Sequence, residues 1–169
     1  MAEVCATQAR RVSDRTRRPR SEVPRSYPIS GFTRTASETR RAKRRSGLVL
    51  IVDDSLHTRE LYTEYLTHRG LGVVSAPDAE TGLRLAETLR PGVIVMDIAM
   101  PGLNGITATH RLRLSPRTRR IPVIVLTGYA FRAIEQGALE AGADAFLTKP
   151  CLPEDLELKI RELLTRRSA

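Results

Sequence analysis

The chain has 169 residues, with 28 Lys and Arg against 19 Asp and Glu, a net charge of +9. That length suits one domain better than two, and no run approaches the roughly 18 apolar residues of a transmembrane helix. Two cysteines, Cys5 and Cys151, form neither a disulfide framework nor a metal-binding spacing, and the amino terminus lacks the basic head, apolar core and cleavage site of a secretory signal, so a reducing, cytoplasmic setting is the expectation.

The positive charge is concentrated at one end. Residues 1–46 hold 13 basic and 4 acidic residues, whereas residues 47–169 hold 15 of each. The leading segment is rich in Arg, Ser, Thr and Pro, with basic runs at 15–20 and 40–45 and no apolar period. Such a segment buries too little surface to offset its ordering entropy, so residues 1–46 are expected to be a disordered, Arg-rich extension. Charge alone would let it bind nucleic acid or anionic lipid, although only Tyr27 and Phe32 are available for stacking. A transit peptide is a further reading. An inert extension, or a translation start placed too far upstream, is the plainest.

From residue 47 strand and helix signals alternate. The apolar run 47–52 reads as a strand ending in Asp53-Asp54, and Ser55 is a helix N-cap. Residues 56–69 read as a helix with Leu61, Tyr65 and Leu66 on one side, closed by Gly70. A short strand over 71–76 leads to Pro77-Asp78 and a second helix, whose buried side carries Leu83, Leu85, Ala86 and Leu89. The β-branched run 92–96 then reaches Asp97, followed by Met100-Pro101-Gly102. A run so short and apolar reads as a strand buried on both faces of a parallel sheet.

Residues 105–114 read as a third helix, 115–120 as a basic connection, and 122–126 as a fourth strand reaching Thr127. A fourth helix is expected over 129–141, weakened by Gly137. A fifth strand over 144–148 precedes Lys149-Pro150. The last helix opens at Pro153-Glu154-Asp155, with Leu156, Ile160, Leu163 and Leu164 as its apolar stripe. Successive strand–helix units predict a parallel sheet with right-handed crossovers and helices on both faces.

All strand ends in such a sheet lie on one edge, where open α/β sheets place their ligands. Asp53, Asp54, Asp97, Thr127 and Lys149 therefore converge on one crevice. Singly, each has an ordinary role as a cap, a turn residue or a solvated charge. Together they pose an electrostatic problem, because close carboxylates raise one another's pKa. A hard divalent cation such as Mg²⁺ resolves it and keeps open positions for a phosphoryl oxygen. Lys149 and Thr127 could hold the other oxygens, which makes a phosphoryl-transfer centre with a carboxylate nucleophile.

These motifs, with Asn104-Gly105 and the run 141–144 added, resemble the receiver domain of bacterial two-component response regulators over about residues 47–167. The resemblance implies a flavodoxin-like, doubly wound five-stranded parallel sheet in order 2-1-3-4-5 with five flanking helices, residues 47–169 forming the receiver domain. It implies that Asp97 takes a phosphoryl group from a histidine kinase or histidine phosphotransfer protein. Asp54, Asp97 and the backbone carbonyl of Ala99 would ligate Mg²⁺, with Asp53 acting through water. Thr127 and Lys149 would contact the phosphoryl oxygens, and Phe146 would swing inward when Thr127 moves. The bond before Pro150 would be cis. Ala99 and Tyr129 stand where side chains tune phosphoryl lifetime. The implied output is a surface formed by helix four, strand five and helix five that docks a protein partner.

The chain ends just after the last helix, so a stand-alone receiver without an attached output domain is expected. It would be a signalling phosphoacceptor rather than an enzyme acting on a separate substrate. Two alternatives compete: a nucleic-acid-binding protein whose effector is the basic tail, and a Mg²⁺-dependent phosphatase with Asp97 as nucleophile. Ala99 stands where the phosphatase would need a second acid.

Overall fold

The computed structural model describes residues 47–168. The expected disorder of residues 1–46, and the nucleic-acid reading that depends on them, lie outside the described residues. Five strands alternate with five helices: β1 Leu48–Val52, α1 Leu56–His68, β2 Gly72–Ala76, α2 Ala79–Leu89, β3 Val93–Met96, α3 Gly105–Leu114, β4 Val123–Thr127, α4 Arg132–Glu140, β5 Ala145–Thr148 and α5 Pro153–Ser168. All neighbouring strands pair parallel in the order β2-β1-β3-β4-β5. The expected topology is therefore the observed one.

The two-residue period of the strands sorts the core into two layers. Val49, Ile51, Val93, Val95, Ile124 and Leu126 face Tyr62 and Leu66 of α1 and Leu156, Ile160 and Leu163 of α5. Leu50, Val52, Ile94, Met96 and Val123 face Ala79 and Ala86 of α2 and Ala108 and Leu112 of α3. Each buried Leu, Ile or Val contributes about 1.5–3 kcal/mol by leaving water. Both faces of β1, β3 and β4 are thus covered, which is why these strands are continuous apolar runs.

Polar residues set the helix ends. Ser55, Asp78 and Asn104 accept the backbone N–H of Thr58, Thr81 and Thr107, capping α1, α2 and α3. Helix α1 stops at Gly70, which adopts φ +82°. The Gly70 N–H then bonds to the Thr67 carbonyl and the Leu71 N–H to the Leu66 carbonyl, the paired bonds of a Schellman turn.

Three expectations are corrected. Leu61 is exposed, and Tyr62 is buried with Leu66 in α1. The Tyr62 hydroxyl donates to the Cys151 carbonyl at 2.9 Å, and burial, then the nearby Cys151 and Asp53, push its pKa up to about 12. Helix α4 starts at Arg132 rather than 129, because Phe131 has an extended backbone and no capping side chain precedes it. Helix α2 packs through its small residues Ala79, Gly82 and Ala86, with Leu83 and Leu85 only half-buried. A Cβ on Gly82 would meet Val52 at 2.7 Å, so the helix lies too close to β1 for a larger residue. Among the described residues no helix is long and apolar enough to cross a membrane.

Candidate functional site: an acidic crevice at the carboxyl edge of the sheet

Strands β1 and β3 are neighbours, with Val52 opposite Met96. The residues that follow them, Asp53-Asp54 and Asp97, are therefore side by side. The Asp97 N–H donates to the Val52 carbonyl at 2.8 Å, and the Asp53 N–H to the Ala76 carbonyl at 3.2 Å, extending the sheet to the acids. Carboxylate oxygens of Asp53, Asp54 and Asp97 all lie within 4.8 Å of one another. Asp53 and Asp97 are buried and Asp54 is exposed, so the cluster opens to solvent on the Asp54 side.

Lys149 reaches this cluster from the end of β5. Its ammonium donates to Asp53 Oδ2 at 2.7 Å and lies 3.5 Å from Asp97 Oδ2. Its own N–H bonds the Thr127 carbonyl at 2.8 Å, which ties the end of β5 to that of β4. The Lys149–Pro150 bond is cis, as expected. Asp53 is held twice, since its Oδ1 also accepts the Ser55 N–H at 2.9 Å. Asp97 is held on one side only: Oδ2 faces Lys149, while Oδ1 is buried with no hydrogen-bond partner among the described residues. Burial pushes the Asp97 carboxyl above its ordinary value; the Lys149 ammonium draws it back and the Asp53 charge raises it again.

Helix α3 reaches the same place through a close backbone contact. Gly105 donates its N–H to the Ile98 carbonyl at 3.1 Å. A Cβ there would overlap the Asp97 carbonyl oxygen and lie 2.8 Å from the carbonyl carbon. Only glycine fits, and the Asn104-Gly105 pair is thereby explained: one residue caps the helix and the next lets it approach. Ala99 is exposed in the loop between β3 and α3.

Thr127 is fully buried, and its hydroxyl accepts the Tyr129 N–H at a long 3.4 Å. Phe146 is half-buried opposite Val125, packed with Ile98, Ala138, Ile106 and Ile134. Tyr129 and Phe131 are exposed beside them. Lys149 thus touches Asp53 and Asp97, with the Asp54 carboxylate within 4.8 Å of both acids and Thr127 and Phe146 on the adjoining strands.

One participant carried no signal in the sequence. The half-buried Arg59, in the first turns of α1, donates through Nη1 to the carbonyls of Asp53 at 2.7 Å and Asp54 at 3.0 Å. An arginine at an amphipathic helix position reads as a solvated charge. Its partners are backbone atoms of the preceding loop, which spacing does not reveal.

The donor set fits a hard divalent cation. The Lys149 ammonium touches two of the carboxylates and the Arg59 guanidinium only the backbone of Asp53 and Asp54, which leaves three carboxylates incompletely paired, and a buried carboxylate oxygen without a partner is costly unless something outside the chain completes it. Oxygen-only ligands suit Mg²⁺.

A parallel sheet in this order with an acid crevice at its carboxyl edge defines a flavodoxin-like receiver fold. Residues 49–161 match the response regulator receiver domain family, and the chain belongs to it, a family of two-component signalling. The chain is 39% identical over 108 residues to an uncharacterized 14.6 kDa protein of Leptolyngbya boryana, a match covering 64% of this chain and 82% of that one. It is 36% identical over 118 residues to the response regulator PleD of Caulobacter vibrioides, covering 70% of this chain and 26% of PleD. The match to a probable transcriptional regulator ycf27 of Cyanophora paradoxa covers 48% of that protein, so the chain spans about half the length, or less, of these two relatives. Among solved structures, the chemotaxis protein CheY4 of Vibrio cholerae superposes with TM-score 0.66 at 29% identity, over 69% of this chain and 98% of that one. The receiver domain of the sensor histidine kinase PA1611 of Pseudomonas aeruginosa, determined with a magnesium ion in its active-site cleft, superposes with TM-score 0.66 at 28% identity, over 70% and 98% of the two chains.

Proposed function

We propose that residues 47–169 act as a phosphorylation-controlled signalling domain in which Asp97 accepts a phosphoryl group from a histidine kinase or histidine phosphotransfer protein. The observation that carries this reading is Asp97 itself, a buried carboxylate with Oδ2 facing an ammonium and Oδ1 without a hydrogen-bond partner among the described residues. The Asp97 carboxylate attacks the phosphorus of a phosphohistidine protonated at its other ring nitrogen; the P–N bond breaks, and neutral imidazole leaves with that proton. The product is an acyl phosphate on Asp97. Water attack on that phosphorus returns the carboxylate and releases inorganic phosphate.

Asp54, Asp97 and the Ala99 carbonyl would hold Mg²⁺, with Asp53 acting through water. When bound, the cation neutralises charge between the carboxylates and the phosphoryl oxygens. The chain's own groups do the rest. Lys149, already beside Asp97, moves its donors from Asp53 to a phosphoryl oxygen. The Thr127 hydroxyl, whose present bond is long, turns to another oxygen. The half-buried Phe146 then fills the space behind Thr127.

The face altered by these movements comprises α4, β5 and α5. Leu139 of α4 and Leu158 of α5 are exposed. The phosphatase alternative gains no support, because Ala99 offers no acid above Asp97.

Beryllofluoride with Mg²⁺ mimics the acyl phosphate and tests this directly. The amide resonances of Thr127, Phe146 and α4 are expected to shift in wild type and to stay in place in Asp97→Asn. Equal shifts in both proteins would overturn the assignment of Asp97.

A further inference from the structure

We propose that Arg59 is a positioning residue for the divalent-cation site, acting through the backbone of Asp53 and Asp54. The inference rests on the metal reading above. The carbonyls of Asp53 and Asp54 precede α1, whose first main-chain bond runs from the Arg59 N–H to the Ser55 carbonyl at 3.1 Å. Neither carbonyl is served by the helix, and that of the buried Asp53 needs a donor. Arg59 supplies it: Nη1 bonds the Asp53 carbonyl at 2.7 Å and the Asp54 carbonyl at 3.0 Å. A single guanidinium nitrogen thereby fixes two consecutive peptide planes.

The two carboxylates on those planes are secured differently. Asp53 has Lys149 and the Ser55 N–H on its side chain. The Asp54 carboxylate is exposed, and no residue among those described hydrogen-bonds or ion-pairs with it. Its direction toward Asp97 depends on the backbone that carries it, and Arg59 holds that backbone. A ligand set is only as ordered as the groups that orient it, and losing an orienting partner typically costs 10–100-fold in metal affinity.

A second effect has the opposite sign. A guanidinium near the crevice repels a divalent cation, so removing its charge would by itself tighten binding. That repulsion acts at a solvent-exposed mouth and is screened, whereas the hydrogen bonds act directly on the loop that bears the ligands. The positioning effect prevails. The two effects therefore predict opposite directions of change for the same substitution.

The test uses the full chain as wild type, Arg59→Gln and Arg59→Lys. Mg²⁺ affinity is measured calorimetrically at fixed ionic strength, and amide hydrogen exchange of Ser55 is followed without metal. Arg59→Gln is expected to bind Mg²⁺ roughly tenfold more weakly, and its Ser55 amide to exchange faster as the bond to Asp53 Oδ1 loosens. Arg59→Lys, which keeps the charge and some donor capacity, is expected to recover part of both losses. It also serves as the readout if the Gln variant unfolds. Unchanged or tighter Mg²⁺ binding in Arg59→Gln would overturn the proposal, and tighter binding would assign Arg59 to charge repulsion alone. Failure of wild type to bind Mg²⁺ would instead refute the metal reading. In that case unchanged Ser55 exchange in Arg59→Gln would overturn the role of Arg59 as well.

Discussion

Replacing Gly105 with alanine should damage both the fold and the acid crevice, because the new methyl has nowhere to go. It would overlap the Asp97 carbonyl oxygen and sit 2.8 Å from the Asp97 carbonyl carbon and 3.0 Å from Ile98 Cα. Carbon atoms pack at about 3.5 Å or more, so the backbones must part by roughly 0.5–0.7 Å to relieve the carbons and further to clear the oxygen. Neither side yields cheaply. Asp97 is tied to β1 by its N–H bond to Val52, and α3 is held by the Asn104 cap and the buried Ala108 and Leu112. Overpacking of this kind costs about 1–3 kcal/mol, and two rigid elements place it near the upper end, a fall in Tm of roughly 10 °C. Urea unfolding measures the loss. Gly128→Ala is the matched control, since a Cβ there meets nothing within 4 Å and its φ lies outside the positive range. Equal stabilities for the two variants, within about 0.5 kcal/mol, would refute the close-approach argument.

Gly137→Ala should act in the opposite direction. Gly137 lies within α4, and an added Cβ makes an ordinary 3.7 Å contact with Ile106, so the variant should gain about 0.5–1 kcal/mol in urea unfolding. Arg113→Ala should lose about 2–3 kcal/mol in the same measurement, because its guanidinium serves the carbonyls of Gly142 and Ile121 and the Asp144 carboxylate at 2.7–2.9 Å. Asp78→Ala removes the cap of α2 and should cost about 1 kcal/mol near neutral pH. The Thr81 N–H holds the Asp78 carboxyl below its ordinary value of 3.8. Its contribution is therefore fully present above that pH and is lost as pH falls through the lower folded value. Stability curves for wild type and Asp78→Ala should accordingly converge in acid, as thermal melts across pH would record.

The sheet and its site were legible because both depend on local patterns. Short β-branched runs announce buried strands, and acids, Thr127 and Lys149 directly after them fall on one edge once the strands are parallel. Helix faces were less legible. In α1 the rows through Leu61 and through Tyr62 both carry large residues, and the structure buries Tyr62 in the core with its hydroxyl on the Cys151 carbonyl, a partner 89 residues away that local spacing does not reveal. Apart from Lys149 and the acids it meets, charged groups that bond across the fold left no trace in the sequence. Glu157 of α5 is buried, and Arg161, then Arg69 and Tyr65, hold its carboxyl below the ordinary value and join α5 to α1. In sequence it reads as one more exposed acid on an amphipathic helix. Arg59 is the same kind of omission, since its partners are main-chain carbonyls.

The central claim is that Asp97 accepts a phosphoryl group. Its most direct test is the intact mass of wild type and Asp97→Asn after incubation with Mg²⁺ and a small-molecule acyl phosphate. A gain of one phosphoryl group in wild type, absent in Asp97→Asn and abolished by chelator, is the predicted result. An adduct of equal yield on Asp97→Asn, or none on wild type under conditions where beryllofluoride binds, would contradict it.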